Sequence, residues 1–223
     1  MSPIRSSRAP RSARRGAGSP GRLLNREAYD AIADSWDSAR TALHGREQVF
    51  LEALLEGLPV PSGILDLGCG SGRPIAEYVL ARGHAVTGVD QSSRLLGKAR
   101  ARFPLATWIE SRIEDFESPL RFSGVLCWDA LFHLERAKHP ELLSRMASFL
   151  EPGGRLAITL GGSEHPPFTD TMLGETFFYD SFPPEEVLKL LPQCGFEVQL
   201  GEFLNEPTSG RDKGRYAILA RRP

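Results

Sequence analysis

The stretch Ile64-Leu65-Asp66-Leu67-Gly68-Cys69-Gly70-Ser71-Gly72-Arg73-Pro74 is an apolar run that passes at once into a glycine-rich turn. A strand that ends in closely spaced glycines, with a helix starting at Pro74, brings bare backbone N–H groups and the positive end of a helix to the carboxyl edge of a sheet. Such a turn holds a nucleotide or a similar ligand. The spacing narrows the choice. In the dinucleotide fingerprint Gly-x-Gly-x-x-Gly the third glycine falls where this chain has Arg73. A P-loop ends in Gly-Lys-Ser or Gly-Lys-Thr, whereas Gly72 is followed by Arg73 and Pro74, so a ligand without phosphate remains.

Downstream, Ala85-Val86-Thr87-Gly88-Val89-Asp90 reads as a second strand with an acid at its end, about 20 residues beyond the loop, where a carboxylate accepts both ribose hydroxyls. Asp66-Leu67-Gly68-Cys69-Gly70-Ser71-Gly72 followed by this Asp90 resembles the opening motifs of the class I S-adenosylmethionine-dependent methyltransferases, small-molecule type. The resemblance covers about residues 25–221. It implies a Rossmann-like, doubly wound α/β fold: a seven-stranded, mostly parallel sheet with an antiparallel last strand and helices on both faces. It also implies S-adenosylmethionine as cofactor, S-adenosylhomocysteine as product, and no metal. Asp66, Gly68, Cys69, Gly70 and Gly72 would form the cofactor turn, with Gly70 letting the backbone approach the methionine and ribose because a Cβ there would intrude. Asp90 and Gln91 would take the ribose.

Upstream, residues 25–36 read as a helix with Asn25 as its cap. In the resembled family a leading helix with a Tyr, Ile-Ala, a Trp and a following Arg closes over the cofactor, and Tyr29, Trp36 and Arg40 match that pattern. Tyr29, Ile32 and Trp36 equally suit an apolar stripe packed on the sheet. A second helix over 46–58 shows one apolar face.

Beyond the second strand, Ser92 or Ser93 caps a helix that runs to Phe103, and 107–110 is the third strand. At Arg112-Ile113-Glu114 the family usually writes an acid where this chain has Arg112. Ile113 can still pack on adenine while a backbone N–H serves a ring nitrogen, and Glu114 or Asp115 replaces the missing acceptor. Residues 123–128 form the fourth strand, with Cys127 and Trp128 at the cofactor end. Asp129 and His133 follow; a helical turn would place both on one face near the transferred methyl. His133 titrates close enough to neutrality to deprotonate a hydroxyl or carboxyl, the alternative being a structural histidine and a capping aspartate. The fifth strand is 155–160, and the long apolar connection 161–182 reads as a wall of the acceptor pocket. A helix over 183–194 and a hairpin of 196–202 with 216–220 close the chain.

The 223 residues suit one domain with an addition. The expected division is a disordered Arg-rich tail over 1–24 and a methyltransferase domain over 25–223. Within the domain lie a helical lid (25–60), a cofactor-binding half (61–160), the acceptor-pocket insertion (161–182) and the C-terminal helix and hairpin (183–223). A composition of 41% hydrophobic and 25% charged residues is ordinary for a globular chain. No apolar run reaches the roughly 18 residues of a membrane span, so a cytoplasmic enzyme is expected. Cys69, Cys127 and Cys194 show neither disulfide nor metal spacing. Residues 1–22 hold six arginines and no acid, which leaves 21 basic against 28 acidic side chains in the remainder. An acidic body repels phosphates and argues against a nucleic-acid substrate, whereas the tail alone suits RNA, anionic lipid or organellar targeting.

S-adenosylmethionine carries a good leaving group, so methyl transfer asks chiefly for alignment and water exclusion, and positioning of that kind lowers a barrier by about 7–11 kcal/mol. The expected activity is methyl transfer to an oxygen or nitrogen of a small-molecule acceptor. The Asn/Asp-Pro-Pro-Tyr pattern of adenine amino methyltransferases is absent, its nearest likeness being Asp180-Ser181-Phe182-Pro183. Competing readings are an RNA or protein methyltransferase anchored by the basic tail, an NAD-dependent oxidoreductase, and a non-catalytic cofactor-binding protein.

Overall fold

The computed structural model describes residues 20–209 and 212–223. Helices α1 (Pro20–Ala39) and α2 (Glu47–Leu55) precede a first strand, β1 (Gly63–Leu67). Then come α3 (Ile75–Ala81), β2 (Ala85–Asp90), α4 (Ser93–Arg102), β3 (Thr107–Glu110) and β4 (Phe122–Cys127). The second half holds α5 (His139–Phe149), β5 (Leu150–Gly161), β6 (Phe168–Met172), β7 (Glu175–Tyr179), α6 (Pro184–Gln193), β8 (Glu197–Asn205) and β9 (Arg215–Arg221).

Seven strands form one sheet in the order β3-β2-β1-β4-β5-β9-β8. From β3 to β5 every pairing is parallel, and β9, the last strand in the chain, runs antiparallel to both its neighbours. This is the expected doubly wound α/β sheet. Strand order reverses between β1 and β4, so the loops leaving these two strands diverge and open a crevice at the carboxyl edge.

Alternation along the strands splits the core into two faces. Leu65 and Leu67 of β1, with Val125, Ile158 and Ile218, pack under α5 and α6. Ile64, Leu126, Ala157 and Leu219 face the other way, against α2, α3 and α4. Both faces are covered, which is why these strands read as nearly continuous apolar runs.

A third, smaller cluster joins Ala28 and Ile32 of α1 to Phe177 of β7, roofing the carboxyl edge of the sheet. One expectation is corrected here. Asn25 is not a cap, because α1 already begins at Pro20; of the tail expected over 1–24, residues 1–19 lie outside the described ones. Within the connection 161–182, β6 and β7 pair as a separate two-stranded antiparallel sheet.

Candidate functional site

The glycine turn is tied to the neighbouring strand. Gly68 and Cys69 donate their N–H groups to the Val89 carbonyl at 2.7 and 3.1 Å, and Gly70 N–H donates to Asp90 Oδ2 at 2.9 Å. Ser92 N–H donates to the other oxygen of Asp90 at 2.8 Å. Burial pushes the Asp90 carboxyl up, and these N–H groups oppose that rise. Gly68 has φ +86° and a Cβ on it would lie 2.4 Å from Cβ of Ala130, so the turn must be bare to pack on the segment after β4. Gly70 has φ +54°, yet a Cβ there would come no nearer than 3.9 Å to Leu95. That space opens into the crevice. Beneath the turn Asp66 is buried, its Oδ2 has no hydrogen-bond partner, and burial with the nearby Asp90 charge pushes its carboxyl up to about 7.

On the roof of the crevice, Tyr29 of α1 donates its hydroxyl to His133 Nε2 at 2.9 Å. His133 Nδ1 lies 3.0 Å from the Phe178 carbonyl, which can only accept, so Nδ1 carries the proton and the Nε2 lone pair is the one that Tyr29 uses. Burial lowers His133 to about 4 and pushes the Tyr29 phenol well up, so both side chains stay neutral. Asn25 locks the same junction: its Nδ2 donates to the His133 and Phe178 carbonyls at 3.1 Å, and its Oδ1 accepts from Phe178 N–H at 2.7 Å.

Beside this roof lies a four-charge cluster. Arg215 binds both oxygens of Asp129, at 3.0 and 2.8 Å, and reaches Glu47 at 3.1 Å. Arg40 holds Glu47 at 2.7 Å, and Trp128 Nε1 donates to it at 3.3 Å. Burial raises the Glu47 carboxyl, but the His44 N–H, Arg40 and Arg215 outweigh it and hold Glu47 below the usual range. The helical turn expected to align Asp129 with His133 does not form. Asp129 sits at φ +53°, its N–H donating to Thr159 Oγ1 at 2.7 Å, and only a short 3₁₀ turn, Leu131–His133, follows.

The crevice brings together Tyr29 and Trp36 of α1 with Arg40 just beyond it, Asp66, Gly68, Cys69 and Gly70 from β1 and the turn, and Asp90 and Gln91 at the end of β2. Ile113, Glu114, Trp128, Asp129 and His133 also line it. Three expected members lie elsewhere. A Cβ on Gly72 would meet Trp108 at 3.0 Å and Phe103 at 3.2 Å, so this glycine serves packing. Arg112 turns back to Glu114 and Asp115. Cys127, the last residue of β4, is fully buried in the core. Asn25, Phe178, Glu135 and Lys138 border the crevice without having been expected there. The last two sit at short 3₁₀ turns, which leave no periodic trace in sequence.

A family model described as a methyltransferase domain matches residues 64–154. The malonyl-[acyl-carrier protein] O-methyltransferase of Xylella fastidiosa (strain M23) is 32% identical over 198 residues, covering 84% of this chain and 63% of that protein. The trans-aconitate 2-methyltransferase of Rhizobium meliloti (strain 1021) is 31% identical over 155 residues, 67% of this chain and 59% of that one. The chain spans about half the length of the curated relatives it matches. Among solved structures, Burkholderia thailandensis 1,6-didemethyltoxoflavin-N1-methyltransferase, with bound 1,6-didemethyltoxoflavin and S-adenosylhomocysteine, superposes with a TM-score of 0.69 at 21% identity. That match covers 99% of this chain and 93% of the other, and shows the shared fold. Residues 64–154, which hold the glycine turn and Asp90, thus match a methyltransferase domain, and the chain is similar to S-adenosylmethionine-dependent methyltransferases of the same fold. Among the described residues, no helix is long and apolar enough to cross a membrane, and no group of three or more His, Cys, Asp or Glu is placed to hold a metal ion.

Proposed function

We propose that this chain transfers the methyl group of S-adenosylmethionine to an oxygen or nitrogen of a small-molecule acceptor, leaving S-adenosylhomocysteine. The observation that carries the reading is the pairing of a bare, open Gly70 with an Asp90 carboxylate held still by the Gly70 and Ser92 N–H groups. A carboxylate anchored in this way has lone pairs left for two vicinal hydroxyls, as a ribose presents them. The unpartnered Oδ2 of Asp66 suits the cofactor's ammonium, whose charge would relieve the burial that raises this carboxyl. Ile113 offers an apolar surface for the adenine, and Tyr29 and Trp36 close the crevice against water.

When bound, S-adenosylmethionine supplies an electrophilic methyl: the acceptor lone pair forms the new bond as the carbon–sulfur electron pair returns to sulfur. The chain contributes alignment and exclusion of water. The relatives named trans-aconitate 2-methyltransferase and the neighbour with bound 1,6-didemethyltoxoflavin support a small-molecule acceptor. Calorimetry tests the reading. Saturable binding of S-adenosylhomocysteine, with none of NAD, is expected; the reverse would establish the oxidoreductase instead. Transfer of labelled methyl to a metabolite extract, lost in Asp90→Ala, separates an enzyme from a silent binder. Removal of that charged acceptor should cost about 1.5–3 kcal/mol of cofactor affinity.

A further inference from the structure

Strand β9 runs antiparallel to β5, so its first residue, Arg215, pairs with Gly161, the last of β5, and stands at the carboxyl edge of the sheet beside the crevice. Neither Arg215 nor Glu47 lines the crevice, yet each grips residues that do. Arg215 holds both oxygens of Asp129 and reaches Glu47, while Glu47 holds Arg40 and accepts from Trp128 Nε1. Among the described residues, these four charges form ion pairs only with one another, two acids with two bases. The side chain of Glu47 keeps only 2% of its surface exposed, a burial at which an unpaired carboxylate is strongly disfavoured.

Resting on the methyltransferase reading above, we propose that Arg215 is a positioning residue for the cofactor: without touching it, Arg215 keeps Arg40 free to hold the carboxylate at the amino-acid end of S-adenosylmethionine. Charge and geometry support this. That end of the cofactor carries an ammonium and a carboxylate. Asp66, whose Oδ2 has no partner, and Arg40 line the same crevice, one for each charge. Arg40 donates from Nη1 to the Ala42 carbonyl at 2.9 Å and from Nη2 to Glu47 at 2.7 Å, and its guanidinium has further N–H groups to offer.

Asp129 leaves those groups alone because Arg215 occupies both of its oxygens. Arg40 Nη2 stands 3.9 Å from Asp129 Oδ2, beyond hydrogen-bond distance. Without Arg215, one guanidinium would face two carboxylates at a site largely shielded from water, where attraction at short range is strong. Arg40 would then close on Asp129 to bridge the two acids, and its free N–H groups would leave the crevice. The surplus negative charge would also repel the carboxylate that Arg40 is there to meet. Both effects fall on the charged end of the cofactor. Its adenosine part has no charge at neutral pH and is indifferent to them.

The test is calorimetry on the full chain with two ligands: S-adenosylhomocysteine, and methylthioadenosine, which has the nucleoside and the sulfur but no amino-acid end. Arg215→Gln should weaken S-adenosylhomocysteine about tenfold or more and leave methylthioadenosine unchanged. Adding Asp129→Asn removes the surplus negative charge and should restore much of the lost affinity. Arg215→Lys keeps the charge but loses the fork that serves two acids, so a smaller loss, again confined to S-adenosylhomocysteine, is expected; this variant serves if Arg215→Gln fails to fold. Equal weakening of both ligands would make Arg215 a structural residue, and no weakening of either would leave the carboxylate to another base of the crevice wall, Arg73 or Lys138. Both results overturn the proposal, as does a loss that Asp129→Asn leaves untouched. Failure of both ligands to bind the unaltered chain brings down the cofactor reading, whereas binding of both without the selective loss brings down this inference alone.

Discussion

Tyr29 Oη and His133 Nε2 stand 2.9 Å apart, with the phenol donating, and this single bond ties α1 to the turn that follows β4. Because His133 Nδ1 serves Phe178 on β7, one imidazole joins three elements around the crevice. Tyr29→Phe leaves Nε2 buried without a donor, and a loss of about 1–3 kcal/mol is expected. In a double-mutant cycle with His133→Gln, chemical denaturation should show that the two losses do not add. Additive losses would mean that the bond contributes nothing.

The same histidine predicts an acid limb to stability. Its folded value of about 4 lies below the ordinary value near 6.5. Between those values the unfolded chain binds more protons than the folded one, so the contribution is intact above pH ~6.5 and is lost as pH falls toward about 4. His139, fully buried and lowered by that burial to about 4, acts in the same sense. His133→Gln should flatten part of this slope in melts taken across that window, and an unaltered slope would place the titration elsewhere.

Asp66 works in the opposite direction. Its carboxyl is raised from 3.8 to about 7, so the folded state holds the proton more tightly than the unfolded state does. The stability contributed by the protonated form is complete below the unfolded value and is lost as pH rises through about 7. Asp66→Asn should therefore raise the melting temperature of the ligand-free protein at pH 8 and have little effect at pH 4. If the unpartnered oxygen meets the cofactor's ammonium, the same variant binds S-adenosylhomocysteine more weakly. A variant that lost stability at pH 8 would show that the negative charge is already compensated.

Local pattern made the heart of this fold legible, because the glycine turn, Asp90 and the Ser92 cap each depend on residues only a few positions apart or on one strand end. What escaped depends on distance or on an unusual residue. Asn25 has the residue type of a cap, but its partners lie 108 and 153 residues away in the chain. The β6–β7 hairpin turns on Leu173 and Gly174, both at positive φ, where asparagine rather than leucine is the usual first residue of such a turn. Glu47 has the charge of a solvent face, and only the meeting of Arg40, Arg215 and Trp128 makes it a buried member of the site.

Gly68 and Gly70 share a motif and should fail in different ways. Alanine at Gly68 combines positive φ with a 2.4 Å approach to Ala130, so a loss of fold stability well above about 1 kcal/mol is expected. Alanine at Gly70 meets only the conformational penalty, about 1–2 kcal/mol, because the structure leaves room for the new methyl. Its chief effect should be on S-adenosylhomocysteine affinity, since the methyl occupies crevice space. Melting curves and titrations on both variants check this, and equal effects on stability with no difference in binding would refute the assignment of the open space.

Helix α1 is held to α4 by contacts of unequal worth. Asp30 Oδ1 accepts from Ser92 Oγ at 2.6 Å, and Ser92 Oγ in turn caps α4 by accepting from Leu95 N–H at 3.1 Å. The Asp30 carbonyl also accepts from Arg94 at 2.8 Å. Asp34, farther along α1, pairs with Arg94 and Lys98 at 2.9 and 2.6 Å but keeps 73% of its side chain exposed. Solvent screens such a pair, so Asp34→Asn should scarcely change the protein, and any change should vanish in high salt. Asp30→Ala unhooks α1 from a buried cap and should cost about 1 kcal/mol. Hydrogen exchange read along α1 distinguishes the two: faster exchange in Asp30→Ala than in Asp34→Asn is expected at low and high salt alike, and equal exchange would mean that the apolar contacts of Ile32 and Phe177 hold the helix without help from its charges.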